Sequence, residues 1–334
     1  MVRLSVLDQS PVPEGVTPVE AINQTVKLAQ ITEKLGYHRY WVAEHHSSTN
    51  LVSSTPEVLI SHIAAKTSKI RVGSGGVMLP HYSSYKVAEN FRMLEALYPN
   101  RIDLGVGRAP GGHSLSTMAL TGGDTKKFNQ YPNQIQELVG YLHEVEEYKL
   151  HPGLIATPEI STAPELWMLG SSGGSAKLAA ELGASYTFAH FINGNGGQGV
   201  VRHYQENFKP SPVNQQPHTS VAVFVTCAET NEEAEKINKS IDLAALLLEK
   251  GESKRGVPSI QQAQEYNYTE LDYMRMKENR KRMIVGNPIQ VKEQLESLKE
   301  SYNADEIMIV TITHDFDARV RSYELIADAF GITN

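Results

Sequence analysis

The chain has 334 residues, a formal net charge of −7, 40% hydrophobic and 21% charged residues, and a single cysteine. This mixture is that of an ordinary globular enzyme and excludes a collagenous or disordered chain. Charges of both signs are spread along the sequence with no basic face, which argues against nucleic-acid binding. One cysteine rules out an internal disulfide and any cysteine-based zinc cluster. Cys227, in the β-like run 220–228, reads as a small buried apolar residue. The N-terminal apolar run is broken by Asp8, Gln9 and two prolines, unlike a signal peptide. No run approaches the ~20 apolar residues of a membrane span. The expected compartment is therefore the cytoplasm.

Short β-branched runs alternate with longer amphipathic segments, the order of parallel strands joined by crossover helices. The spacing predicts a strand at 4–8 and a helix at 18–35, with Val19, Ile22, Val26 and Ala29 on its core face and Gly36 as its stop. A strand at 40–44 precedes a helix at 56–67. A strand at 70–79 precedes a helix at 84–97, and a strand at 102–108 follows. The stretch 109–126, rich in Gly, Ser and Thr, is an excursion before a helix at 132–149. Ile135, Leu138, Val139, Leu142 and Val145 form the stripe of that helix. Strands at 166–169, 185–191 and 221–227 alternate with helices at 175–182, 200–208 and 232–249. The polar stretch 250–282 is an insertion, read either as a lid or as an inert addition. A helix at 291–302, a strand at 307–312 and a helix at 318–330 complete the chain.

Eight βα units in this length predict an α/β TIM (β/α)8 barrel with an insertion between helix 7 and strand 8, as one domain over 1–334. An open doubly wound sheet would carry a Gly-rich dinucleotide turn after its first strand, where this chain has DQSPVPEG. In a barrel the active site lies at the C-terminal ends of the strands, so those ends hold the candidates.

Strand two ends in Glu44-His45-His46. Such groups at a strand end must be hydrogen-bonded or used. They read as a satisfied polar cluster, as catalytic groups, or, with His113 and His190, as a histidine metal site that no spacing singles out. Strand three carries Gly73-Ser74-Gly75-Gly76, which signals a bulge, a close backbone approach or packing relief. Strand four ends in Arg108 among glycines, a positive fork suited to phosphate or to a surface salt bridge. Strand five ends in Gly170-Ser171-Ser172-Gly173-Gly174-Ser175 where a helix starts. The helix N-terminus and its hydroxyls suit an anion, or the serine is an ordinary cap. Arg108 comes from the neighbouring strand, so both features could meet on one phosphate.

These residues resemble those of the bacterial-luciferase-like flavin monooxygenases. VGSGGVMLPHYSSYKVAENFRMLEALYPNRIDLGVGRAPG is similar to their strand-three to strand-four core. YWVAEHH, MLGSSGGSAKLAAELG and VGNPIQVKEQLESL resemble their strand-two end, phosphate loop and approach to the last strand, in the same order along the chain. The resemblance implies an FMN-binding barrel in which Arg108, Ser172 and Ser175 hold the phosphate, with Gly170 and Ser171 beside it. It places a non-prolyl cis peptide at Gly75-Gly76 against the flavin ring, and makes His45, flanked by Glu44 and His46, the active-site histidine. Reduced FMN from a separate NAD(P)H:flavin reductase, O2 and a small organic, aldehyde-like substrate are then expected, in a homodimer with no metal. Ser171 stands where the light-emitting alpha subunit carries an acidic residue, and the loop before strand eight also differs. Both count against light emission and a long-chain aldehyde. Deazaflavin-dependent hydride transfer, a flavin-binding protein without turnover, and a metal-dependent hydrolase are the alternatives.

Overall fold

The computed structural model describes residues 2–252 and 256–333. Its strands are β1 (Arg3–Asp8), β2 (Arg39–Val42), β3 (Arg71–Met78), β4 (Ile102–Gly107), β5 (Glu165–Gly170), β6 (Ser185–Ala189), β7 (Thr219–Cys227), β8 (Met283–Gly286) and β9 (Glu306–Val310). All except β8 pair in parallel as a closed barrel, with β9 joining β7 back to β1. This is the TIM barrel expected from the alternation of strands and helices.

The helices that follow the barrel strands are α1 (Pro18–Lys34), α2 (Pro56–Lys66), α3 (Ser84–Leu97), α5 (Tyr131–His143), α6 (Gly173–Leu182), α7 (Gly197–Glu206), α8 (Asn231–Glu249) and α12 (Phe316–Phe330). The excursion after β4 contains a further short helix, α4 (Ser114–Thr121). The insertion contains α9 (Ile260–Glu265) and α10 (Glu270–Arg280), and α11 (Pro288–Tyr302) leads into β9.

Strand pleating splits the core in two. On β1, Val6 faces the helices, whereas Leu7 points into the barrel with Trp41, Trp167, Ala222 and Met308. The N-terminal end of the barrel is closed by charge. Arg39 at the start of β2 reaches Asp103 at 2.7 Å and Glu306 at 2.9 Å, and its guanidinium lies over Trp41 and Trp167. Trp41 Nε1 donates to the same Asp103 carboxylate at 2.8 Å. Each of these buried charges is paired and hydrogen-bonded, the condition under which burial is tolerated. The open end is therefore the one where the strands finish.

Several expectations need correction. On α1, Val19 is 68% and Ile22 38% exposed, while Ala21, Thr25, Val26, Leu28, Ala29 and Thr32 are buried. The helix turns a threonine-bearing face inward because each hydroxyl has a partner: Thr25 donates to Ser10 Oγ and Thr32 to the Leu28 carbonyl. The helix expected to run to 149 stops at His143, because Glu144 is left-handed at φ 58°. Val145 thus leaves the stripe. Strand β8 was not anticipated. It pairs with Phe224–Cys227 of β7, beyond the point where β6 pairing ends at Ala222.

The described part of the insertion packs on α8. Ala263, Tyr266, Tyr268 and Met276 form a small apolar cluster with Leu243 and Leu246 of α8. Val257 N–H donates to the Val12 carbonyl, and Arg282 Nη1 to the Ile192 carbonyl, so both ends are fastened to rim loops. Residues 253–255 of this stretch lie outside the described residues.

Candidate active site

A cavity of about 320 Å³ opens at the C-terminal ends of the strands. Of the expected site residues, Glu44, His45, Gly75, Gly76, Arg108, Gly170, Ser171, Ser172 and Ser175 all line it. His46 stands one layer back, against Glu44.

One end of the cavity is built for an anion. Arg108 is exposed at its rim and, among the described residues, makes no hydrogen bond or ion pair. Next to it α6 begins. Ser172 is its extended N-cap residue, and no side chain caps the first turn, so N–H groups there stay free. A Cβ on Gly173 or Gly174 would meet nothing within 4 Å, so this turn faces open space. The loop is braced from behind: Asn193 Nδ2 donates to the Ser171 carbonyl at 3.1 Å, and the Tyr186 hydroxyl to the Ser172 carbonyl at 3.4 Å. At Gly170 a Cβ would lie 2.8 Å from Ser175 Cβ, so only glycine fits.

The floor is apolar. The peptide between Gly75 and Gly76 is cis, and the pairing of β3 with β4 shifts register between Gly75 and Val77, which is the expected bulge. A Cβ on Gly75 would meet Leu7 Cδ1 at 2.6 Å, and one on Gly76 would meet Leu169 Cδ1 at 2.5 Å. Packing within the barrel therefore accounts for both glycines, and close approach of the rim loops accounts for Gly112, where a Cβ would lie 2.6 Å from the His46 carbonyl.

The polar wall comes from the end of β2. The buried Glu44 carboxylate accepts three hydrogen bonds. His46 Nε2 donates to Oε1 at 2.6 Å, the Tyr82 hydroxyl to Oε1 at 2.7 Å, and the Met78 N–H to Oε2 at 2.9 Å. The phenol of Tyr82 is held well above its usual range, by burial and then by the Glu44 charge. His45 beside it is different. Burial pushes its imidazole down to about 4, against a partial lift from Glu44. Its buried Nδ1 has no hydrogen-bond partner. His45 thus lines the cavity as a neutral imidazole whose buried Nδ1 is unpartnered.

The sequence reading overlooked Gln9, Met78 and Tyr82. All follow or close a barrel strand, so inspecting every βα loop, including the one after β3, would have found them. His113 and His190 do not join the site. His113 is the exposed N-cap of α4, and His190 Nδ1 bonds to the Tyr302 hydroxyl at 2.9 Å. No group of three or more metal-ligating side chains occurs among the described residues. Cys227 is buried, and burial pushes its thiol up to about 12. No helix is long and apolar enough to cross a membrane among the described residues.

Residues 2–304 match the family described as luciferase-like monooxygenase. The chain belongs to that family. The uncharacterised protein YwcH of Bacillus subtilis (strain 168) is 56% identical over 99% of both chains. The N-acetyl-S-alkylcysteine monooxygenase of the same organism is 42% identical over 98% of both. The crystal structure of apo-MsnO8 matches with a TM-score of 0.91 at 36% identity, covering 100% of this chain and 99% of that one. The luciferase-like chain is therefore a flavin-type oxidoreductase of the monooxygenase kind by family.

Proposed function

We propose that the chain is an FMN-dependent monooxygenase that uses reduced FMN and O2 to oxygenate a small organic substrate, with FMN and water as the other products. The observation that carries this reading is the unpaired Arg108 beside the uncapped first turn of α6, at one end of a cavity whose floor is apolar. A planar ring with a phosphate tail matches that division. Arg108, Ser172, Ser175 and the first N–H groups of α6 would hold the phosphate. Leu7, Leu169 and the Gly75-Gly76 peptide would meet the ring. The flavin supplies the electron pair that activates O2. His45 and Glu44 handle protons at the wall, and the apolar lining excludes water.

The loop after β1 has no Gly-rich dinucleotide turn, so the electrons are proposed to come from a separate NAD(P)H:flavin reductase. The relative that acts on N-acetyl-S-alkylcysteine makes small thioethers the first substrates to try, beside aldehydes.

An anaerobic titration with reduced FMN tests the reading, with Arg108→Ala alongside. Tight binding that weakens at least ~10-fold in the variant is expected, since a charge-assisted contact is lost. Binding of a deazaflavin in place of FMN would instead favour hydride transfer without O2. Failure of both to bind would sink the flavin reading.

A further inference from the structure

Among the described residues Arg108 makes no hydrogen bond or ion pair that fixes it, so its position depends on the loop 108–113 that carries it. That loop is seated on its neighbours at three points. The His46 N–H donates to the Gly111 carbonyl at 2.7 Å, His46 forms a parallel bridge with Gly112, and the His81 ring meets the Pro110 carbonyl at 2.8 Å. A carbonyl only accepts, so His81 Nε2 carries the proton and donates. The first two contacts are main-chain bonds available to any residue at 46. The third needs a side-chain N–H donor at residue 81.

His81 is 4% exposed and packs edge-on against His46, Tyr82 and Phe128, with centroids at 5.7, 6.0 and 5.5 Å. Its Nδ1 is buried without a partner. A polar ring with one nitrogen unsatisfied is a poor space-filler, since an apolar side chain would carry no such cost. The polar contact His81 does make is the bond to Pro110, two residues from Arg108.

We propose that His81 is a positioning residue: by holding the Pro110 carbonyl it aims Arg108 at the cavity, and so sets the preference for a phosphorylated flavin over the same ring without phosphate. The proposal rests on the FMN reading above and adds a residue to its phosphate end. His81 does not touch the cavity, so it acts only through the loop.

The test compares FMN with riboflavin, which lacks the phosphate, by equilibrium titration of the wild type, His81→Leu, His81→Gln and Arg108→Ala. The wild type is expected to favour FMN. In His81→Leu the ratio of riboflavin to FMN dissociation constants should fall ~10-fold, with riboflavin affinity unchanged. His81→Gln, whose amide can donate to the Pro110 carbonyl, should recover most of it. His81→Leu added to Arg108→Ala should lower the ratio no further, because both act on one contact. If the Leu variant does not fold, His81→Met against His81→Gln makes the same comparison without and with a donor. A wild type that binds both flavins equally would overturn the phosphate reading itself. A wild type that favours FMN, with variants that keep the full ratio, would overturn only the role of His81.

Discussion

Arg319 Nη2 lies 2.7 Å from Asp8 Oδ1, although 311 residues separate them. The pair fastens α12 to the end of β1, inside the seam where β9 meets β1. Asp8 also accepts from the Ser10 N–H and the Tyr40 hydroxyl. Burial alone would push the Asp8 carboxyl up, but the Arg319 guanidinium together with the hydrogen bonds from Tyr40 and Ser10 outweighs it and holds the group below the usual carboxylate range.

Removing one partner leaves the other charge buried without its counter-charge. Arg319→Met should cost about 3–5 kcal/mol in urea unfolding. The double variant Asp8→Asn, Arg319→Met should recover part of that loss. A double-variant cost equal to the sum of the Asp8→Asn and Arg319→Met costs would show that the pair is not coupled.

Acid should destabilise the protein through two buried imidazoles. Burial lowers His45 to about 4 and, with Arg92 adding to it, lowers His143 to about 4, from an ordinary 6.5. Unfolded, each ring takes its proton near pH 6.5; folded, only near 4. The native state binds fewer protons between those values, so stability is intact above 6.5 and falls as pH drops towards 4. The slope is ~1.4 kcal/mol per pH unit per ring. Urea midpoints at pH 7 and pH 5 check this. The gap between them should narrow in His45→Gln and in His143→Gln, and an unchanged gap would refute the assignment.

Glu44→Gln should damage catalysis more than folding. The amide keeps one acceptor oxygen and sets its NH2 either against the Met78 N–H or against His46 and Tyr82, all of which now donate. Turnover with a fixed flavin supply should fall by roughly 10²-fold or more, the usual scale for loss of a proton-handling group. Tyr82→Phe removes one of the two donors on Oε1 and should fall less, about tenfold. Near-native turnover in both would make the cluster purely structural.

Gly170→Ala should displace Ser175, whose Cβ would lie 2.8 Å from the new methyl. Overpacking of this kind costs about 1–3 kcal/mol. Because Ser175 is on the first turn of α6, FMN affinity should drop along with the melting temperature. A drop in melting temperature with unchanged FMN affinity would separate Ser175 from the phosphate end.

Much of this was legible in the sequence because barrels obey a local rule. Each strand is short and followed by a helix, so the eight units and their order could be read without any contact, while their ends shifted by a few residues. The strand-end rule then pointed to Glu44, His45, Arg108 and the serine loop, which line one cavity. Local pattern failed where a distant partner decided the outcome. Thr25 is buried because Ser10 Oγ, in the loop before the helix, accepts its hydroxyl, and Val19 is left outside. Strand β8 forms because β7 outruns β6, which is a property of the closed sheet and not of the segment MIVG.

The division follows the range of the forces. Alternation of apolar and polar residues acts within a few positions and sets strand, helix and barrel, and so the end at which chemistry occurs. The protonation of a side chain and its aim depend on what surrounds it in space. His45 and His46 are adjacent in the chain. Folding leaves the first neutral with a free nitrogen and binds the second to a carboxylate, because burial and hydrogen bonding differ across one residue.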